Sequence, residues 1–203
     1  MSRPTMKAKG LSRQQIERSA ESVLKDFSPE SLSGLRRLDV ERFYETYLPK
    51  RFGINTGYQK LTAGIHGFTN PAKLESAVEI QLVEASDRAT VRFGRSTIGH
   101  EAGHCVLHAH QFKKRSETEA FLHDHHHAPE QRLFRRDEIK PYECPEWQAW
   151  WFCKAIFLPR SVLSKEVERG ITVRKIADIV DLNPAFVEVR LRNLQLLDRV
   201  RAF

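Results

Sequence analysis

The sequence predicts an α+β fold: a small β-sheet packed on one histidine-bearing helix, with further helices at both ends of the chain. Three patterns predict it. "SAVEIQLVEA", 76–85, alternates apolar and polar residues with the period of a half-buried strand. "STIGHEAGHCVLHAH", 96–110, repeats His100, His104 and His108 at the four-residue spacing that stacks side chains on one helix face. The two ends place apolar residues three and four apart, the period of amphipathic helices. The chain has 203 residues, 40% of them hydrophobic, which is enough to build a core and argues against a disordered polymer. On this reading an N-terminal helical segment spans 1–56, a core 57–160, and a C-terminal helical segment 161–203.

The elements follow in order. Residues 11–27 form a helix whose inner face carries Ile16, Ala20, Val23, Leu24 and Phe27, opened by a capping box of Ser12 and Gln15. A second helix spans 39–48, with Asp39 as N-cap, Val40, Phe43, Tyr44 and Tyr47 apolar, and Pro49 as its stop. In "KLTAGIHGF", 60–68, glycines suit turns or bulges between strands. "SAVEIQLVEA" puts Val78, Ile80 and Leu82 on one face. "RATVRF", 88–93, reads as another short strand, joined to it by a hairpin turn at 85–89. The histidine helix then spans about 97–110. Residues 111–144 are polar and proline-punctuated, a long connection of the kind that is often functional or disordered. "CPEWQAWWFCKAIFLPRSVL" is apolar on nearly all sides, which marks a buried helix, with Pro145 in its first turn and Pro159 at its end. The tail contains two or three short helices. Thr172 and Asn183 are N-caps and Pro184 is at N1, giving a helix-turn-helix-like shape.

Composition narrows the function classes. The net charge of +7 favours acidic partners such as nucleic acid but says nothing about fold. The start of the chain has positive charge without an apolar stretch behind it, and no run reaches the roughly 18 apolar residues of a membrane span. The three cysteines, Cys105, Cys144 and Cys153, are odd in number and lack a C-x-x-C spacing. A reducing, cytoplasmic setting is the expectation.

His100-Glu101-Ala102-Gly103-His104 is an H-E-x-x-H sequence. Two imidazoles four residues apart on a helix converge on one zinc ion at about 2.0–2.1 Å each. Glu101 lies about 100° around the axis. It is poorly placed as a ligand but well placed to take a proton from a water that zinc activates, and to pass it to a leaving amine. His108 lies about 12 Å along the axis from His100, too far for one ion to reach all three. It reads as a packing or supporting residue, and Cys105 as a small buried one. Gly99 and Gly103 leave room for a close approach to this helix. A catalytic zinc needs a third protein ligand and an open position. The candidates are the cluster His123–His127, Glu143, and Glu146. Glu146 is favoured because it opens a rigid buried helix; such an acid also suits a helix N-terminus by itself.

With these motifs the chain resembles the ImmA/IrrE family of HExxH zinc metallo-endopeptidases. "RSTIGHEAGHCVLH" is similar to that family's first motif, and "PEWQAWWFCKAIFLP", about forty residues on, to its second; together they cover about 75–160. The resemblance implies a zincin-like core, Zn2+ held by His100, His104 and Glu146, and Glu101 as catalytic base. Three positions depart from the pattern. Trp150 stands where an Asn or Asp is usual, which removes a hydrogen bond to a zinc histidine. Cys153 replaces a small residue, and Ser96 a phenylalanine. Several members cleave repressors, so the resemblance implies a protein substrate. His66, Tyr142 and the loop histidines are candidates for a second oxyanion donor. A rival expectation is a DNA-binding regulator using the C-terminal helices. There Arg174, Lys175, Arg190 and Arg192 are nearly balanced by Asp178, Asp181 and Glu188.

Overall fold

The computed structural model describes residues 7–114 and 139–200. The cluster His123–His127 lies outside them. The first element, α1 (Arg13–Phe27), begins with the expected capping box: Ser12 Oγ accepts from the Gln15 N–H, and the Gln15 side chain accepts from the Ser12 N–H. Its Ile16, Ala20 and Leu24 are buried.

Asp39 Oδ1 accepts from the Arg42 N–H and opens a three-part rod: α2 (Val40–Arg42), a π turn (Phe43–Tyr47) and α3 (Leu48–Phe52). Pro49 does not end this rod, as the sequence pattern suggested. It sits in the first turn of α3, where a missing N–H is tolerated, and the chain leaves the helix at Gly53 with φ 63°.

One three-stranded sheet follows, in the order β1-β3-β2. Strand β1 (Asn55–Gln59) runs parallel to β3 (Glu75–Glu79), and β2 (Gly67–Asn70) pairs antiparallel on the other side. Strand β1 was not anticipated, because "NTGYQ" has little strand character. The alternating stretch 76–85 supplies only part of a strand. After Glu79 the chain tightens into a 3₁₀ turn (Ile80–Leu82), and the Glu79 carboxylate accepts from the Leu61 and Gln81 N–H groups.

"RATVRF" is not a strand, and 85–89 is not a hairpin. Asp87 Oδ1 accepts from the Thr90 N–H at 2.9 Å and caps α4 (Arg88–His104), which therefore starts well before residue 97. The alternation of Val91 and Phe93 misled because the buried positions here are arginines. Arg92 bonds Asp178 (2.9 Å) and Asp181 (3.1 Å), and Arg95 bonds both Glu41 oxygens (2.9 and 3.0 Å). Ion pairing lets these residues face inward, and a hydropathy pattern does not register that. A π turn (Cys105–Ala109) continues α4.

The last helices are α5 (Pro145–Phe157), α6 (Arg160–Glu168), α7 (Val173–Val180) and α8 (Pro184–Asn193). Pro145 lies in the first turn of α5 and Thr172 and Asn183 cap α7 and α8, as expected. Helix α5 packs against both α4 and α1, and the buried apolar cluster runs from Ile16 to Leu196. Arg190 of α8 is fully buried and forms a two-pronged pair with Glu17 of α1, whose Oε1 also accepts from the Trp151 Nε1–H. The described chain is thus a mostly helical α+β structure with one small sheet. No described helix is long and apolar enough to cross a membrane.

Candidate metal centre

The two glycines of the H-E-x-x-H region serve helix packing. A Cβ on Gly103 would lie 2.8 Å from the Ala149 carbonyl oxygen, and one on Gly99 would lie 2.5 Å from the Phe157 ring. Only glycine lets α4 and α5 approach this closely. That contact brings the first turn of α5, with Glu146, over the histidine face of α4.

Three residues bring four donor atoms together there. His104 Nε2 lies 3.2 Å from His100 Nε2, His100 Nε2 lies 3.2 Å from Glu146 Oε2, and His104 Nε2 lies 3.3 Å from Glu146 Oε1. A tetrahedral zinc with ligands at about 2.0–2.1 Å separates them by about 3.3–3.4 Å along each edge. Each of these separations therefore has about the length of one edge of that tetrahedron, with the two imidazoles meeting different oxygens of Glu146. His100, His104 and Glu146 are able to hold a metal ion. Both imidazoles are largely buried, whereas the Glu146 side chain remains 46% exposed, so the carboxylate lies on the open side of the group. Hydrogen bonds from His100 and His104 hold the Glu146 carboxyl well below the usual carboxylate range. Burial opposes charge on His104, but the Glu146 hydrogen bond and the charges of Glu101 and Glu146 outweigh it, and its pKa is raised. A proton and a metal ion would compete for the His104 nitrogen that faces Glu146.

Glu101 is outside this donor group and points toward the sheet. A Cβ on Gly67 of β2 would lie 2.8 Å from Glu101 Oε1, so only a glycine leaves room for the carboxylate there. Thr69 Oγ1 donates to Glu101 Oε2 at 2.8 Å. Behind it lies Ser76 Oγ, 3.0 Å from Thr69 Oγ1, and Tyr44 donates its hydroxyl to Ser76 at 2.8 Å. A buried chain of hydroxyls thus holds one carboxylate oxygen.

His108 is buried and supports His104: the two Nδ1 atoms are 3.2 Å apart, and His108 Nε2 lies 2.8 Å from Gln148 Oε1. Burial pushes the His108 pKa down to about 3, helped by the neighbouring His104. Cys105 is buried, with its thiol pushed up to about 12 by burial. The Trp150 ring lies against His100 at 4.3 Å between centroids, and His100 Nδ1 is buried with no hydrogen-bond partner among the described residues. Glu143 is bonded instead to Lys7 at 3.0 Å and does not join the donor group. His66 packs edge-on against Phe93, about two turns before His100 on the same face of α4. Tyr142 packs over Gly10 instead.

Thr69, Ser76 and Tyr44 were not among the sequence candidates. Thr69 is 32 residues from Glu101 in the chain and carries no motif. Gln148 carried a weak signal, since it is a neutral polar residue in a largely apolar helix.

No protein-family model matches the chain, and no curated protein matches it. Among solved structures it is similar in fold to a Mycobacterium tuberculosis transcriptional regulator, with a TM-score of 0.52 and 13% identity. The likeness covers 87% of this chain and 46% of that one, so this chain spans about half the length of the regulator. The chain is therefore a mostly helical α+β protein with a His100, His104 and Glu146 group able to hold a metal ion.

Proposed function

We propose that the chain is a zinc-dependent endopeptidase with a zincin-like core, of the kind its ImmA/IrrE resemblance implies. The observation that supports this best is the donor group of His100, His104 and Glu146, with Glu101 next to it but turned out of the ligand set. Two neutral imidazoles and one carboxylate are the ligand chemistry of catalytic zinc, with the fourth position open. Zinc there would supply Lewis acidity toward a peptide carbonyl and toward a water molecule. Glu101 would accept the proton of that water and deliver it to the leaving amine. Thr69 would hold Glu101 Oε2, leaving Oε1 for the proton. The substrate would be a protein, and a transcriptional repressor is the candidate class the resemblance suggests.

The test is zinc per chain in tag-free protein, by elemental analysis after mild chelation. About one zinc is expected. No retained zinc after add-back and removal of the excess would sink the peptidase reading.

A second reading, a DNA-binding regulator using α7 and α8, draws support from the three-residue turn between capped helices. The neighbour in fold is also named a transcriptional regulator. Against it, Arg190 is buried on Glu17, which removes it from the basic residues that could reach phosphates. DNA binding that weakens steeply with salt would favour this reading, and none at low salt would dispose of it.

A further inference from the structure

We infer that His108, Gln148 and the N-terminal strap at residues 7–11 form a positioning relay that holds His104 in the tautomer presenting Nε2 to the metal. The inference rests on the metal-centre reading and goes beyond its three ligands.

The argument runs inward from the strap, by donors and acceptors alone. The strap is bonded to the segment that precedes α5: the Ala8 N–H donates to the Glu143 carbonyl (2.9 Å) and the Leu11 N–H to the Tyr142 carbonyl (2.8 Å). Lys7 adds its ion pair with Glu143. The Gln148 amide nitrogen lies 2.9 Å from the Lys9 carbonyl oxygen and 2.7 Å from the Tyr142 carbonyl oxygen. Carbonyls only accept, so both amide hydrogens are committed to them, and Gln148 Oε1 must face the other way. Oε1 also only accepts, so His108 Nε2, 2.8 Å away, carries a hydrogen and donates. In neutral imidazole the other nitrogen is then an acceptor. His108 Nδ1 therefore accepts from His104 Nδ1–H across 3.2 Å. With its hydrogen on Nδ1, neutral His104 leaves its Nε2 lone pair free for a metal ion on the side where His100 and Glu146 lie.

The two metal histidines are consequently unequal. His104 is locked by a relay in which Gln148 is fully buried and His108 nearly so, whereas His100 Nδ1 has no partner among the described residues and its ring rests on Trp150. The relay also makes residues 7–11, far from the motif in sequence, part of the support of the metal centre.

The test is zinc affinity by competition with a chromogenic chelator, read beside thermal stability. His108→Leu and the near-isosteric Gln148→Met should each weaken zinc binding about 10–100-fold. His108→Asn places an acceptor oxygen near the Nδ1 position and should recover much of the affinity lost in His108→Leu. A purely structural role would lower stability in all three and would not make affinity follow the acceptor. Wild-type affinity in both His108→Leu and Gln148→Met overturns the relay and leaves the metal centre standing. Equal weakness of His108→Leu and His108→Asn also overturns it. A wild-type chain that binds no zinc overturns the metal reading itself. Should His108→Leu not fold, Gln148→Met carries the test.

Discussion

The first half of α4 buries Arg92 and Arg95; the second buries His100 and Glu101, with His104 beside them. In the first half every buried guanidinium meets opposite charge: Arg92 bonds Asp178 and Asp181, and Arg95 bonds Glu41 and the Leu38 and Asp181 carbonyls. In the second half the donor atoms of His100, His104 and Glu146 lie 3.2–3.3 Å apart in pairs, a group able to hold a metal ion. The difference separates two meanings of a buried polar cluster. One that closes on itself holds the fold together, tying α4 to α2 and α7. One whose lone pairs converge is closed by a proton or is open to a metal ion.

The largest expected effect breaks the second cluster. His104→Ala should abolish zinc retention and hydrolysis together. Glu101→Gln should keep zinc and lower hydrolysis about 10²–10⁴-fold, the usual range for general acid–base catalysis. Wild-type hydrolysis by Glu101→Gln would remove Glu101 from the role of base.

Breaking the first cluster should do the converse. Arg95→Met should destabilise the fold by about 3 kcal/mol in urea unfolding, because a buried pair loses one partner. Zinc per folded chain should stay unchanged. Zinc loss in this variant would mean that the two halves of α4 are not independent.

A smaller effect sharpens the comparison within the site. Thr69→Val removes the donor to Glu101 Oε2. Turnover should fall about tenfold, the worth of one hydrogen bond to a charged group. Zinc affinity should hold, because Thr69 does not touch a ligand histidine. A parallel loss of zinc would place Thr69 in the metal centre instead.

The smallest effect concerns acid. Burial opposes charge on Asp181, but the Arg92 hydrogen bond and the charges of Arg95, Arg92 and Arg37 outweigh it and lower its pKa. A carboxyl whose pKa drops on folding stabilises above its unfolded value, about 3.9, and loses that contribution as pH falls through the folded value. Asp181→Asn should therefore lose stability near pH 7 and show a shallower decline below about pH 4. Equal acid sensitivity in the variant and wild type would show that this carboxylate is not part of the closed cluster.

Much of this organisation was legible before any coordinates. The capping box of Ser12 and Gln15, the caps at Thr172 and Asn183, and Pro145 in the first turn of α5 are local chemistry, decided within one turn of chain. The meeting of His100 with His104 follows from helical spacing alone. The α+β class was legible, whereas the extent of its strands was not: "RATVRF" looks like a strand only while its arginines are assumed to face solvent, and β1 lacks strand character.

Tertiary structure alone decided which distant groups meet. Glu146 reaches the histidines because Gly103 lets the α5 backbone at Ala149 come close and Gly99 makes room for the Phe157 ring and the Cys153 sulfur. Thr69 reaches Glu101, and Gln148 reaches His108, across 32 and 40 residues of chain. Arg190, which reads in sequence as part of a basic surface, is inside the protein on Glu17, 173 residues away. Local periodicity reports how a side chain is directed around its own element. It carries no information about which polar partner waits on the neighbouring one, and that partner decides whether a buried charge is a brace or a ligand.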